Sequence, residues 1–71
     1  MAEFTREEVE AKVKAGESLA KTDLSELNLE GANLTGADLN GSNLEAAELH
    51  NTDLAGANRA GAKFDRADLP D

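Results

Sequence analysis

The sequence contains no cysteine, tryptophan or tyrosine, and only two phenylalanines and one proline in 71 residues. Without cysteine, neither disulfide bonds nor thiolate metal sites can stabilise the fold. There is no apolar run of 18 residues and no basic-then-apolar leader, so we expect no membrane span, no signal peptide and a cytoplasmic location. A chain of this length has room for one small domain, whose core must be built mainly from Leu, Val and Ala.

Positive charge is scarce as well. The 15 Asp and Glu residues outnumber the 7 Lys and Arg residues, which gives a formal net charge of −8, and residues 22–58 contain no Lys or Arg. DNA, RNA and anionic membranes are bound through clustered Lys and Arg. The composition therefore predicts no direct contact with nucleic acid or membrane, and favours a protein partner.

A five-residue repeat runs from about residue 22 to the end of the chain. Its central residues are Leu24, Leu29, Leu34, Leu39, Leu44, Leu49, Leu54, Arg59, Phe64 and Leu69. A period of five fits neither an α-helix nor a β-strand, so the chain must turn at every repeat. If four repeats make one coil, the central residue and the smaller residue two positions earlier both point inward, and the glycines two positions after the centre lie at the corners.

The segments Ala32–Gly36 and Ala37–Gly41 both read A-[DN]-L-x-x, a pattern that resembles the pentapeptide-repeat family over residues 22–71. The resemblance implies an all-β fold, a right-handed quadrilateral β-helix with four repeats per coil. Ten repeats then give about 2.5 coils. Leu27, which is larger than the usual residue at its position, and Arg59 depart from the pattern.

The opening segment predicts a short α-helix. Thr5 followed by Glu8 is a capping box, Phe4 and Val9 are spaced as a hydrophobic staple, and Gly16 suits a helix end. We interpret residues 1–16 as an N-terminal capping helix and residues 17–71 as the repeat β-helix, within one domain, because the ends of solenoids need caps. This opening resembles those of bacterial pentapeptide-repeat proteins, including some attached to type VI secretion components.

Two surfaces are candidates for binding. The first two sides of the coil carry a candidate acidic surface, formed by Asp23, Glu26, Glu30, Glu45, Glu48, Asp65 and Asp68. This acidity either keeps a small domain soluble or recognises a basic partner. The last coil carries a candidate interface, formed by Arg59, Phe64 and Leu69.

Catalytic residues are scarce in this chain. Nucleophilic catalysis needs a nucleophile beside a base that a third group orients, and His50 is the sole histidine. It is predicted on an outer position near Glu30 and Glu48, where a surface contact is favoured over metal binding. We therefore expect no enzymatic activity, no metal and no cofactor.

The leading hypothesis is a non-catalytic structural or interaction module that docks a protein partner, or a second copy, through its C-terminal coil. The resemblance brings an alternative, a DNA mimic that inhibits the type II topoisomerase gyrase. With coils about 4.8 Å apart, the stack is only about 12 Å long, whereas a DNA duplex carries one charge per about 1.7 Å along its axis. A single chain would imitate too few phosphates, so a mimic must act as a dimer. An adaptor of a bacterial secretion assembly, and a fragment or designed chain that only folds, complete the alternatives.

The predicted register can be tested at two adjacent residues. Leu44 lies in the middle of an inward column, so Leu44→Lys should unfold the protein because it buries an unpaired charge. Glu45 is predicted to face outward, so Glu45→Lys should leave the fold intact. Circular dichroism and urea titration of the two variants measure the difference, and a folded Leu44→Lys protein would contradict the register.

Overall fold

The computed structural model describes residues 2–69. Helix α1, Arg6–Lys14, precedes a stack of five-residue turns that continues to the end of the described chain. Met1, Pro70 and Asp71, which the predicted bounds 1–16 and 17–71 include, lie outside the described residues. No helix within residues 2–69 is long and apolar enough to cross a membrane.

Helix α1 begins where the sequence predicts a capping box. The Thr5 backbone N–H donates to Glu8 Oε1 over 2.8 Å, and the Glu8 N–H donates to Thr5 Oγ1 over 3.2 Å. These reciprocal bonds satisfy donors that the first helical turn leaves unpaired. Val9 is fully buried and belongs to the same apolar cluster as the leucines of the repeats.

Parallel contacts join residues exactly twenty positions apart, so four pentapeptides make one coil. The bridged pairs are Asp23–Asn43, Asn28–Glu48, Asn33–Asp53, Asp38–Asn58, Asn43–Lys63 and Glu48–Asp68. Each is an isolated bridge, and residues 2–69 contain no extended strand. The coils are held by short hydrogen bonds such as Leu24 N–H to Asn43 C=O at 2.7 Å and Asn43 N–H to Thr22 C=O at 2.9 Å.

The central residues form four inward columns, which define the sides of the stack. Side 1 carries Leu24, Leu44 and Phe64; side 2 carries Leu29, Leu49 and Leu69; side 3 carries Leu34 and Leu54; side 4 carries Leu19, Leu39 and Arg59. The seven leucines of these columns from Leu19 to Leu49 are fully buried. Leu19 therefore already occupies an inward position, one pentapeptide before the start of the predicted run.

The position two residues before each centre needs a small side chain. Ala32, Ala47 and Ser42 are almost completely buried there. The Ser42 hydroxyl donates to the Leu39 C=O over 2.8 Å, and described residues include no buried side-chain N or O without a partner. Leu27, the departure at this position, is half-buried instead and packs against the edge of the core.

Every corner is a turn with a left-handed residue. In each turn the residue two after the centre has a φ of 58–73°, and a hydrogen bond such as Ala32 N–H to Leu29 C=O, 3.0 Å, closes it. These features define a type II turn, which favours glycine at that position. Five non-glycine residues nevertheless occupy it: Lys21, Glu26, Ala46, Asn51 and Arg66.

The cost of this conformation can be measured by exchanging residues between two corners. Ala46 has a φ of 60°, so Ala46→Gly should raise the free energy of unfolding by about 0.5–1 kcal/mol. Gly56 has a φ of 69°, and an added Cβ would meet no atom closer than 4.0 Å, so Gly56→Ala should lower it by about 1 kcal/mol through backbone strain alone. Urea unfolding measures the free energy of unfolding of both variants. If both substitutions raised it, or both lowered it, the left-handed conformation of the two corners would not be the cause.

Candidate interaction surface

Seven Asp and Asn residues that directly precede an inward residue each make a hydrogen bond within their own turn. The side-chain Oδ1 of each accepts from the backbone N–H two residues later, at 3.0–3.1 Å. The residues that do so are Asp23, Asn28, Asn33, Asp38, Asn43, Asp53 and Asn58. Short Asx side chains favour such local bonds over regular secondary structure. Three of the carboxylates on the coils therefore help to hold the turns.

Asp23 shows the electrostatic effect of this bond. The hydrogen bond from the backbone N–H of Ser25, 3.0 Å long, and a second one from the Ser25 side chain hold the pKa of Asp23 below its ordinary value. The ionised carboxylate accepts these bonds best, so the fold favours the charged form. Asp23 thus belongs to the turn as well as to the candidate acidic surface.

The remaining acidic candidates lie on sides 1 and 2. Exposed side chains are those of Glu26, Glu30, Glu48, Asp65 and Asp68, while Asp23 and Glu45 are half-buried. On side 2, Glu48 stacks directly on Asp68, so two carboxylates are neighbours in one column. Asp68 has no turn bond of the Asx kind because the residue two positions later in the sequence is Pro70, which lacks an N–H.

Cations interrupt the acidic surface toward the C-terminal end of the stack. Lys63 continues the side 1 column below Asp23 and Asn43. Arg66 Nη2 lies 3.6 Å from Glu45 Oε2; the Arg66 side chain is largely exposed and that of Glu45 is half-buried, so the pair contributes little stability. The negative charge is therefore strongest on the first two coils and on side 2.

The candidate interface residues end three of the four columns. Arg59 is exposed, Phe64 is half-buried, and Leu69 is 47% exposed. Leu54, which ends the fourth column, is also half-buried and was not among the predicted interface residues. No described residue accepts a hydrogen bond from the backbone N–H of Leu54, Arg59 or Phe64. The end of the stack thus combines partly exposed apolar side chains with open backbone donors.

The opposite end is closed by a residue that sequence reasoning missed. Glu3 Oε1 accepts from the Asp23 N–H, and the Glu3 N–H donates to the Asp23 C=O over 2.7 Å. In the next coil the equivalent N–H, that of Asn43, bonds a backbone carbonyl of the preceding coil. The Glu3 carboxylate replaces that carbonyl. The available signal was its spacing, twenty residues before Asp23.

Shallow grooves flank the N-terminal segment. One of about 690 Å³ lies between Phe4 and Arg6 on one side and Glu26 and Leu27 on the other. A second, of about 450 Å³, lies between the end of α1 and side 3. His50 is exposed, and within residues 2–69 no three His, Cys, Asp or Glu side chains converge to hold a metal ion.

The twenty-residue stacking and inward leucine columns define a solenoid of pentapeptide coils. The profile of the family described as pentapeptide repeats matches in eight copies, over residues 18–50 and 32–69, and the chain belongs to this family. A crystal structure of a pentapeptide repeat protein, Rfr23 from the cyanobacterium Cyanothece 51142, is similar, with 36% identity and a TM-score of 0.72.

The aligned region covers 78% of this chain and 37% of Rfr23, so the match spans little more than a third of that protein. No curated protein gives a significant match. The similarity to Rfr23 implies a right-handed β-helix for the coils, and the family suggests a non-catalytic repeat protein.

The Asp23 turn predicts a pH dependence. Because the pKa of Asp23 is lowered in the folded protein, its stabilising effect is present above the ordinary Asp pKa, about 4, and is lost as the pH falls through the folded value. Asp23→Asn keeps the acceptor, as Asn43 does one coil later, so it should flatten the loss of stability below about pH 4. Urea midpoints from pH 2 to 7 measure this, and an unchanged acid slope would contradict the role of Asp23.

Proposed function

We propose that the chain is a non-catalytic interaction module that docks a second copy of itself through the end of its last coil. The observation that carries the proposal is the open end itself, where Leu69 is 47% exposed and Leu54 and Phe64 are half-buried. Their counterparts one coil earlier are fully buried. A docked second copy would bury this apolar area, and each Å² removed from water would favour association by about 25 cal/mol.

The backbone at this end supports the same proposal. The N–H groups of Leu54, Arg59 and Phe64 face away from the preceding coil and have no acceptor among residues 2–69. Open ladder edges of this kind favour pairing with another chain. The exposed Arg59 adds a polar group beside the apolar side chains, as in the rim of many interfaces.

The N-terminal end is proposed to serve as a cap and not as a binding end. Helix α1 buries Val9 against the first coil, and Glu3 occupies the ladder position above Asp23. We therefore retain residues 1–16 as a capping segment and 17–71 as the repeat stack. Within residues 2–69, the open backbone donors and partly exposed column residues therefore lie at the opposite end of the stack.

The exposed carboxylates of side 2 favour a second candidate function, mimicry of DNA toward a type II topoisomerase. Glu30, Glu48 and Asp68 are all exposed on that side. The described molecule is only 28 Å in its longest dimension, and Lys63 and Arg66 break the acidity of side 1. A mimic would thus depend on the dimer and on side 2. A cytoplasmic location agrees with either function and stays a prediction.

The docking proposal is tested by light scattering over a concentration series. We expect a dimer at high concentration, and Phe64→Glu should abolish it because the new carboxylate would be buried at the interface. Thr35→Glu, which places the same charge on the exposed surface of side 3, is the matched control and should dimerise normally. A monomer at all concentrations, or a dimer that survives Phe64→Glu, would overturn the proposal.

A gyrase supercoiling assay separates the two functions. We expect no inhibition by the protein, because the cations of the last coil interrupt its acidic surface. Inhibition that disappears in the double variant Glu30→Lys, Glu48→Lys but persists in Glu7→Lys, a charge reversal on the exposed part of α1, would favour DNA mimicry instead.

A further inference from the structure

Asn40 is the one asparagine of this sequence that is followed by glycine. An Asn-Gly dipeptide is the sequence in which spontaneous deamidation is chemically easiest, because glycine has no side chain to hinder attack by its backbone nitrogen. Asn40 is exposed on side 4, so water reaches its side-chain amide. The sequence and the exposure together mark a reactive position.

The coils above and below hold the peptide group that would have to react. The Asn40 C=O accepts from the Lys21 N–H over 2.8 Å, and the Gly41 N–H donates to the Ala60 C=O over 2.8 Å. The attacking atom would be the Gly41 nitrogen, whose proton is engaged in the second of these bonds. The C=O and the N–H of the peptide group between Asn40 and Gly41 are thus both hydrogen-bonded, the first to the preceding coil and the second to the following coil.

The turn geometry adds a further restraint. Gly41 has a φ of 70°, and the Ser42 N–H closes the turn on the Leu39 C=O at 3.0 Å. Asn40 is therefore the second residue of a type II turn, a position at which ψ is about +120°. Closing a five-membered imide ring requires ψ to rotate out of this arrangement, which the two ladder bonds oppose.

We propose that Asn40 is a deamidation site. The following coil, which contains Ala60, protects it, and Asn40 reacts when this coil separates from Gly41. Hydroxide removes the Gly41 N–H proton, and the nitrogen forms a bond to Cγ of Asn40. The Cγ–Nδ2 bond breaks as Nδ2 takes a proton from water and leaves as ammonia. Water then opens the succinimide to aspartate or isoaspartate.

The isoaspartate product would resist return to the folded stack. It adds one carbon to the main chain of a repeat whose bridges require the same length in every coil. The modification would therefore mark molecules in which the contact between Gly41 and Ala60 has opened.

The chain offers a matched unprotected site one coil further along side 4. Ala60→Asn creates the same dipeptide with Gly61, whose φ is also 70°. The Ala60 N–H bonds Asn58 Oδ1 at 3.1 Å, as the Asn40 N–H bonds Asp38 Oδ1. The difference is that no described residue accepts from the Gly61 N–H.

The test is to incubate the Ala60→Asn variant at mildly alkaline pH and to follow deamidation by mass spectrometry. Trypsin cleaves after Lys21, Arg59 and Lys63, so the two sites fall in separate peptides, 22–59 and 60–63. In the folded protein the introduced asparagine should deamidate at least about tenfold faster than Asn40, since reaction at Asn40 needs local opening of the stack. In urea the two rates should become similar.

Equal rates at the two sites in the folded variant would overturn the proposal. Circular dichroism establishes whether Ala60→Asn folds. If the variant does not fold, the test uses the unmodified chain. Deamidation of Asn40 that is as fast in buffer as in urea would contradict protection by the fold, and deamidation at least about tenfold slower in buffer would support it.

Discussion

Parallel pairing between residues twenty positions apart is the constraint on which the structure depends. Successive bridges such as Asn33–Asp53 and Asp38–Asn58 can form only if every pentapeptide contributes one side of the coil and one turn, both with the same geometry. The inward leucine, the small residue before it and the left-handed corner each meet a requirement of this pairing. The ladder hydrogen bonds of about 2.8 Å then pair backbone groups without any extended strand within residues 2–69.

The pairing also explains why the two ends of the stack differ. Each coil contacts only the next, so stability in such a repeat protein is nearly a sum of neighbour contacts. The first coil gains additional contacts from Glu3 and from Val9 of α1. The last described coil has a neighbour on one side only, and burial falls accordingly, from complete at Leu34 and Leu44 to partial at Leu54 and Phe64. The candidate interface lies at the less buried end.

The repeat could be predicted well from the sequence because its five-residue spacing is what the stacking of equal coils requires. The four-repeat coil, the inward leucines and the capping box of α1 all follow from spacing. Leu19 was harder to assign because its pentapeptide lacks the Asp or Asn that precedes most centres. The left-handed conformation of residues such as Lys21 and Ala46 was not predictable from side-chain preference, since the pairing overrides it.

The candidate surfaces were less predictable. Counting charges treats every carboxylate as free, whereas Asp23, Asp38 and Asp53 are acceptors within their turns. The role of Glu3 was indicated only by its spacing, twenty residues before Asp23, because its own segment lacks the pentapeptide pattern. Likewise, the position of Lys63 in the same column as Asp23, two coils away with Asn43 between them, follows only once the number of repeats per coil is fixed.

Four pentapeptides per coil also relate the length of the stack to the direction in which its end points. Insertion or deletion of twenty residues would keep every side in line with α1. Insertion of five residues would move the last column to the next side, a quarter turn around the axis. The number of pentapeptides therefore sets the angle between the N-terminal helix and whatever lies at the other end, so a protein of this kind can reorient one binding surface relative to another by gaining or losing a single repeat.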